Sequence, residues 1–128
     1  DIMVEPITIG NSANKWIKEA NTIGLTYSQT YTTAGSSTIF TCPVGKLATI
    51  VSVGLSAGSD WANLEGKILA NGSPIASITC AAGEGNSNSF SMNIYARITA
   101  GQTIDFSRTG AAANATVGFT VFLVQTDS

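Results

Sequence analysis

The stretch from residue 42 to residue 55 reads Cys-Pro-Val-Gly-Lys-Leu-Ala-Thr-Ile-Val-Ser-Val-Gly-Leu and combines a turn signal with a strand signal. Pro43 presets the backbone angle φ, and Gly45 supplies a conformation that other residues adopt only at a cost. After the turn, every second residue is aliphatic or threonine, which is the period of a β-strand packed on a core. The stretch therefore predicts a core strand over 46–56. The residues expected on its core face are Leu47, Thr49, Val51, Val53 and Leu55.

Outward from this strand, seven more segments alternate in the same way. They cover residues 25–33, 38–42, 64–70, 75–80, 90–96, 103–108 and 116–125. Asn71-Gly72 is the dipeptide of a type I′ turn between two apolar runs, so it predicts a β-hairpin. About eight strands with no long helix indicate an all-β chain, an antiparallel β-sandwich resembling a jelly roll.

Residues 1–24 are less regular, and two interpretations stay open for them. One is a short helical segment over residues 11–20, with Asn11 or Ser12 as its N-cap. The other is an extended arm that packs Trp16 and Ile17 on a neighbour. In both cases we expect this segment to precede a domain that covers residues 25–128.

Composition excludes several functions for these 128 residues, whose size indicates one domain. Six basic and eight acidic residues give a net charge of −2, without the basic cluster that nucleic-acid binding needs. The sequence has no histidine, which removes histidine-based triads and histidine metal ligands. We expect no enzyme activity, metal or cofactor. No apolar run reaches transmembrane length and no signal peptide opens the chain, so no membrane insertion is expected.

A tryptophan in a polar loop is the best candidate for ligand contact. Trp61 stands with Asp60 and Asn63 between two predicted strands. An aromatic ring beside amide and carboxylate groups suits sugar recognition, because the ring stacks on C–H faces and the polar groups bind hydroxyls. The alternative is that Trp61 caps the core or lies in a subunit interface.

Two further features leave their structural role open. Cys42 and Cys80 fall on the inward parity of their strands, which predicts two buried small hydrophobes or, alternatively, one disulfide. In the last strand, Phe122 and Val124 lie opposite the apolar face that contains Phe119 and Val121. A strand that is apolar on both faces needs cover on both, so we predict that Phe122 and Val124 lie in an interface between copies. Residues 1–24 of the same chain are the alternative cover.

Two turns carry a family resemblance. Residues 40–46, Phe-Thr-Cys-Pro-Val-Gly-Lys, and residues 98–104, Ile-Thr-Ala-Gly-Gln-Thr-Ile, resemble turns of the small jelly-roll knob or tip domains of bacteriophage tail fibres, tail spikes and tail needles. The second also looks like a turn of C1q and TNF modules. The resemblance spans about residues 38–125 and implies a homotrimeric virion domain that binds a host-surface glycan or protein. The alternatives are a trimerising cap without a receptor role and a secreted carbohydrate-binding module or lectin.

Overall fold

A computed structural model describes residues 21–59, 63–81, 86–110 and 115–128 of the chain. All regular structure in these residues is β-strand, so the all-β prediction is confirmed. The eight strands are β1 (Ile23–Tyr31), β2 (Gly35–Thr41), β3 (Lys46–Ser59), β4 (Leu64–Ala70), β5 (Ser73–Cys80), β6 (Asn86–Thr99), β7 (Thr103–Gly110) and β8 (Ala115–Asp127).

Each predicted strand is present, with shifted ends. β1 begins two residues before the predicted start, at Ile23. β3 continues through Gly58 and Ser59, and β6 already begins at Asn86, so two segments predicted as loops are partly strand. Pairing with β3 explains both changes, because Gly58 and Ser59 pair with Ser87 and Asn86 across the ladder. The helix or arm was assigned to residues 1–24, of which residues 1–20 lie outside the described residues and Ile23 and Gly24 belong to β1.

The strands form two antiparallel four-stranded sheets. Sheet A has the order β1-β8-β3-β6 and sheet B has the order β2-β7-β4-β5. The antiparallel pairs nest inside one another, since β4 pairs with β5, β3 with β6, β2 with β7 and β1 with β8. This is the jelly-roll arrangement, in which the chain folds like one long hairpin that is wound into a sandwich.

The tip of that long hairpin is the predicted Asn71-Gly72 turn. Asn71 has φ of 49° and Gly72 has φ of 84°, and Ala70 pairs with Ser73 across them. A type I′ turn requires positive φ at both central residues, and asparagine and glycine tolerate it best. The hairpin prediction is therefore confirmed. Pro74, which cannot donate a backbone hydrogen bond, lies in β5 at the edge of sheet B, where such a residue is tolerated.

The strand directions give the sandwich two distinct ends. Residues 21–22, 42–45, 71–72, 100–102 and 128 lie at one end, which we call the proximal end. The connections from β1 to β2, β3 to β4, β5 to β6 and β7 to β8 are made at the opposite, distal end. The proximal connections are short turns, whereas three of the four distal connections include residues outside the described ranges.

Backbone hydrogen bonds join the two turns that carry the family resemblance. Gly45 and Gly101 have φ of 81° and 82°, at the third position of turns closed by Lys46 N to Pro43 O and Gln102 N to Thr99 O. The turns also bond each other, because Cys42 N donates to Gln102 O and Gly101 N donates to Cys42 O, both at 2.9 Å. The two motifs therefore form one unit at the proximal end.

A ring stack occupies the middle of the core between the sheets. Phe106 of β7 and Phe119 of β8 stack with centroids 4.8 Å apart, and Tyr31 meets Phe119 edge-on at 5.3 Å. Gly66 of β4 lies directly below this stack. A Cβ atom on Gly66 would stand 2.5 Å from Val117 Cγ1 and 3.1 Å from Phe119 Cζ, so the position has no room for a side chain.

Candidate functional site

The predicted ligand loop connects β3 to β4 at the distal end. Asp60 and Trp61 lie outside the described residues, so their predicted role stays a prediction. Asn63 is described and exposed, one residue before β4. A Cβ atom on Gly110 would stand 2.2 Å from Asn63 O, and Gly110 has φ of 115°, so glycine is needed where the end of β7 passes this backbone.

A buried arginine lies at the same end, and the sequence analysis did not single it out. Arg108 of β7 is 1% exposed, and its Nη1 donates to Tyr31 O at 2.7 Å and to Ala115 O at 3.0 Å. It therefore ties the last residue of β1 to the first residue of β8. Desolvation lowers the pKa of the Arg108 guanidinium, but the group stays charged at neutral pH. Arg108 alternates in phase with the inward residues Ile104 and Phe106, and this pattern was the sequence feature that could have predicted its burial.

The outer face of sheet A is an array of hydroxyl groups. Two open depressions of about 460 and 540 Å³ meet on it at Gly54 and Thr120, and together they run from β1 to β6. We call this the hydroxyl trough. The hydroxyl residues that line it are Ser28, Thr30, Ser52, Ser56, Ser91 and Thr120.

Two glycines make the depression. Gly54 of β3 and Gly118 of β8 face outward and carry no side chain, so the backbone of the central strands forms the floor. Ser56 Oγ stands 2.7 Å from the place of a Cβ on Gly118, so a side chain there would displace a lining hydroxyl. A Cβ on Gly54 would have only Thr120 Cβ, at 3.8 Å, within contact distance. Space above Gly54 is therefore free.

A β-bulge at Val51 changes which residues in the first half of β3 face the core. Ile50 pairs with Leu123 and Ser52 with Phe122, so Val51 is an extra residue in β3 relative to β8. Residues of β3 before the bulge therefore have the opposite parity to those after it. The prediction that five alternate residues share the core face is wrong for Leu47, Thr49 and Val51. The buried residues of β3 are Ala48, Ile50, Val53, Leu55 and Ala57.

Unbroken alternation already places Ser52 and Gly54 opposite Val53 and Leu55, so the bulge changes the face of Ala48 and Ile50 and not that of the serines. The hydroxyl trough was missed because each strand was read alone, without its neighbours in the sheet. Repeated patterns in the neighbouring strands were the available signal. They are Thr26-x-Ser28-x-Thr30, Ser52-x-Gly54-x-Ser56, Ser89-x-Ser91-x-Asn93 and Thr116-x-Gly118-x-Thr120.

The residues predicted for an interface lie on the outer face of sheet A, on the proximal side of the trough. Phe122 and Val124 are half-buried, and they pair with Thr26 and Gly24 of β1. The Phe122 ring lies over Gly24, with Cε1 3.1 Å from the place of a Cβ. Part of the Phe122 surface is thus covered within one chain, and its role between copies stays a prediction.

Both cysteines are buried thiols. Cys42 is 1% exposed and Cys80 is 2% exposed, and both are free. Cys42 lies at the proximal end, whereas Cys80 pairs with Leu64 at the distal end, so the fold separates them. Burial raises the pKa of the Cys42 thiol, and a backbone hydrogen bond at Ala48 opposes the shift. The interpretation as small buried hydrophobes is confirmed, and the disulfide alternative is wrong.

The described acidic residues of sheet B do not meet. Glu65 pairs with Thr109 and Asp105 pairs with Leu69, so four residue steps separate the two along the β4–β7 ladder. That is about 14 Å, farther than the carboxyl pairs of glycoside hydrolases. Glu65 instead lies 3.8 Å from Lys67 Nζ. No cluster of three metal-ligating side chains occurs in the described part of the chain. Nor does that part contain a helix long and apolar enough to cross a membrane.

Comparisons with known proteins give no family. No protein-family model and no curated protein matches the sequence. Among solved structures, the chain is similar to the insecticidal delta-endotoxin Cry8Ea1 of Bacillus thuringiensis, at 11% identity and a TM-score of 0.40 over 79% of this chain and 19% of the toxin. It is also similar to a structure of the disulfide-linked pili of Bacillus endospore appendages, at 11% identity and a TM-score of 0.37 over 84% of this chain and 88% of that one.

A third solved structure is the carbohydrate-binding module CBM36 in complex with calcium and xylotriose. Its identity is 13% and its TM-score is 0.35, over 78% of this chain and 70% of the module. Likenesses this distant carry no argument about what this chain binds. The residues and the geometry of the chain itself must support any function.

Proposed function

We propose that this chain is a non-enzymatic tip domain of a bacteriophage tail fibre, spike or needle. In this proposal it forms a homotrimer in the virion and adsorbs to a glycan or protein on the host surface. The two turns that resemble tip-domain turns support it, because they form one hydrogen-bonded unit at the proximal end. The jelly-roll strand order is also the order that the resemblance implies.

The observation that carries the proposal is that the sandwich has two different ends, with the described chain termini at the proximal one. Asn21 and Asp127, from the two ends of the described chain, share a hydrogen bond of 2.8 Å at the proximal end. Asp127 also forms an ion pair of 2.5 Å with Lys46 there. Asn21, the first described residue, thus lies at the end opposite the distal connections. A tip domain needs this arrangement, because one end joins the fibre and the other presents loops to the host.

The trimer is supported by the low charge of sheet A. Phe122 and Val124 lie on its outer face, and Arg97 is the one charged side chain among the described outward residues between the ends of its strands. Interface cores are depleted of charge, and three copies around an axis bury equivalent surfaces. A structural cap that trimerises without binding the host is the second candidate. The same outer face of sheet A supports this second candidate.

Light scattering and cell adsorption test the two parts separately. We expect the mass of three 13.1 kDa chains at micromolar concentration, and binding to some strains of a bacterial panel. Phe122→Asp should lower the mass, while Ser77→Asp, on the exposed outer face of sheet B, should leave it unchanged. A mass of one chain for the unchanged protein contradicts the trimer. A trimer that binds no strain supports the cap instead.

A further inference from the structure

We infer that the hydroxyl trough on sheet A is a binding site for an uncharged polysaccharide. The inference rests on the proposed receptor-binding function and adds the class of ligand and the surface that takes it. That surface differs from the predicted loop at Asp60, Trp61 and Asn63, because it lies on the open face of a sheet.

The lining of the trough matches a neutral polyol. Its polar side chains are serines, threonines, Gln29 and Asn93, and no charged residue lines it. The rest of the lining is glycine and apolar side chains, of which Met92 is exposed. A hydroxyl donates one hydrogen bond and accepts two, and an amide does both, so each polar lining group can serve either role of a sugar hydroxyl. A charged ligand would lose its hydration there without gaining a counter-charge.

Most of these hydroxyls are available to a ligand. Ser28 Oγ and Thr120 Oγ1 share a hydrogen bond of 3.2 Å, which fixes both across β1 and β8. Both residues are exposed, and so are Thr30, Ser56 and Ser91. Side chains that are held in strands lose little freedom on binding, which lowers the entropic cost of recognition.

The shape of the trough suits an extended chain of sugars. It crosses all four strands of sheet A, a width of about 14 Å for three strand spacings. Asn93 lines the trough on its β6 side. Tyr95 lies two residues farther along β6 on the same face, and its side chain is 75% exposed. An exposed ring at the end of a row of hydroxyls offers a stacking surface for the apolar face of a sugar.

A second copy of the chain is the competing occupant of the trough. The residues of the outer face distinguish between a second copy and a polysaccharide. Phe122 and Val124, two large apolar side chains of the outer face, lie on the proximal side of the trough. Met92 is the one exposed apolar residue among those that line the trough, so self-association there would bury mostly polar groups without the broad apolar core that stable interfaces contain. The polysaccharide is therefore the better fit.

The test uses two matched pairs of variants in the full chain. Gly54→Leu fills the trough without backbone strain, because a Cβ there has only an ordinary contact. Its control is Ser77→Leu, which puts the same side chain on the exposed outer face of sheet B. Thr120→Val removes one lining hydroxyl at nearly constant shape, and Thr79→Val does the same on exposed β5.

The readout is retention on immobilised neutral polysaccharides (dextran, mannan and galactan) and on acidic polygalacturonate, with mass and melting temperature measured alongside. We expect the unchanged protein to bind a neutral polymer independently of salt. Gly54→Leu should weaken that binding by about tenfold or more, and Thr120→Val should weaken it by less. Both controls should bind as the unchanged protein does.

Three results overturn the inference. The first is that the unchanged protein binds no neutral polymer, or only polygalacturonate. The second is that Gly54→Leu binds as well as its control, which moves recognition to another surface and leaves the proposed adsorption function standing. The third is that Gly54→Leu lowers the mass, which makes the trough an interface between copies. Failure of the proposed function itself is seen separately, as a trimer that adsorbs to no cells.

Discussion

Gly66→Ala is the sharpest test of the core packing. The new Cβ would stand 2.5 Å from Val117 Cγ1 and 3.1 and 3.2 Å from two atoms of the Phe119 ring. Neither neighbour has room to yield, because Phe119 is stacked on Phe106 and met edge-on by Tyr31. Val117 is itself fully buried. One methyl group must therefore separate the two sheets locally.

The expected cost follows from two opposing effects. Overpacking a filled core costs about 1–3 kcal/mol, and a contact as short as 2.5 Å belongs near the upper end. Replacing glycine in a strand returns about 0.5–1 kcal/mol, because the unfolded chain loses freedom. We expect a net loss of about 2 kcal/mol. At about 4 °C per kcal/mol for a domain of this size, the melting temperature should fall by about 8 °C.

Thermal melts followed by far-UV circular dichroism, at one fixed protein concentration, measure this change. The control is Gly35→Ala, since a Cβ on Gly35 meets nothing within 4 Å, and it should leave the melting temperature unchanged or slightly higher. A double-mutant cycle with Val117→Ala, which removes Cγ1, should show that Gly66→Ala costs less in that background. If Gly66→Ala has the same melting temperature as the unchanged protein, the proposed close packing of β4 on β8 is wrong.

Three further predictions concern the turns, the thiols and the buried charge. Gly72→Ala places a side chain at φ of 84° in the hairpin and should cost about 1 kcal/mol of unfolding free energy in urea melts, whereas Gly35→Ala should not. The native protein should react slowly with a thiol reagent at pH 8, because burial raises the pKa of Cys42 and leaves less thiolate. In denaturant two thiols per chain should react, and a count of one or no reactive thiol would mean a disulfide. Arg108→Met leaves the carbonyls of Tyr31 and Ala115 without their donor and should cost about 1–3 kcal/mol for each that stays buried; an unchanged melt would show that water replaces the guanidinium.

Local sequence was sufficient for the strands and their turns. Alternation with period two is a property of the backbone, so each of the eight segments could be recognised without its partners. The Asn71-Gly72 turn was predictable for the same reason, because positive φ at two successive residues is a local requirement that few dipeptides meet. Burial of Cys42 and Cys80 followed from parity within their own strands.

Only the tertiary structure decided which face of β3 is the core. Unbroken alternation puts Leu47 and Thr49 on the core face with Val53 and Leu55, whereas the pairing with β8 places an extra residue at Val51 and turns Ala48 and Ile50 inward. A bulge is a mismatch between two strands, so one strand read alone does not reveal it. The bulge decided the face of Ala48 and Ile50, whereas the pairing of β3 with β6 and β8, and of β8 with β1, brought the hydroxyl residues of the four strands together.

Arg108 shows the same division between local pattern and long-range contact. Its parity with Phe106 pointed inward, but burial of a guanidinium is favourable only where acceptors meet it. Those acceptors are Tyr31 O, 77 positions earlier, and Ala115 O, seven positions later. Nested pairing of β1 with β8 brings these two carbonyls together. The alternation of side chains can be read from the sequence alone, whereas the partners of a buried charge come together only once distant strands have paired.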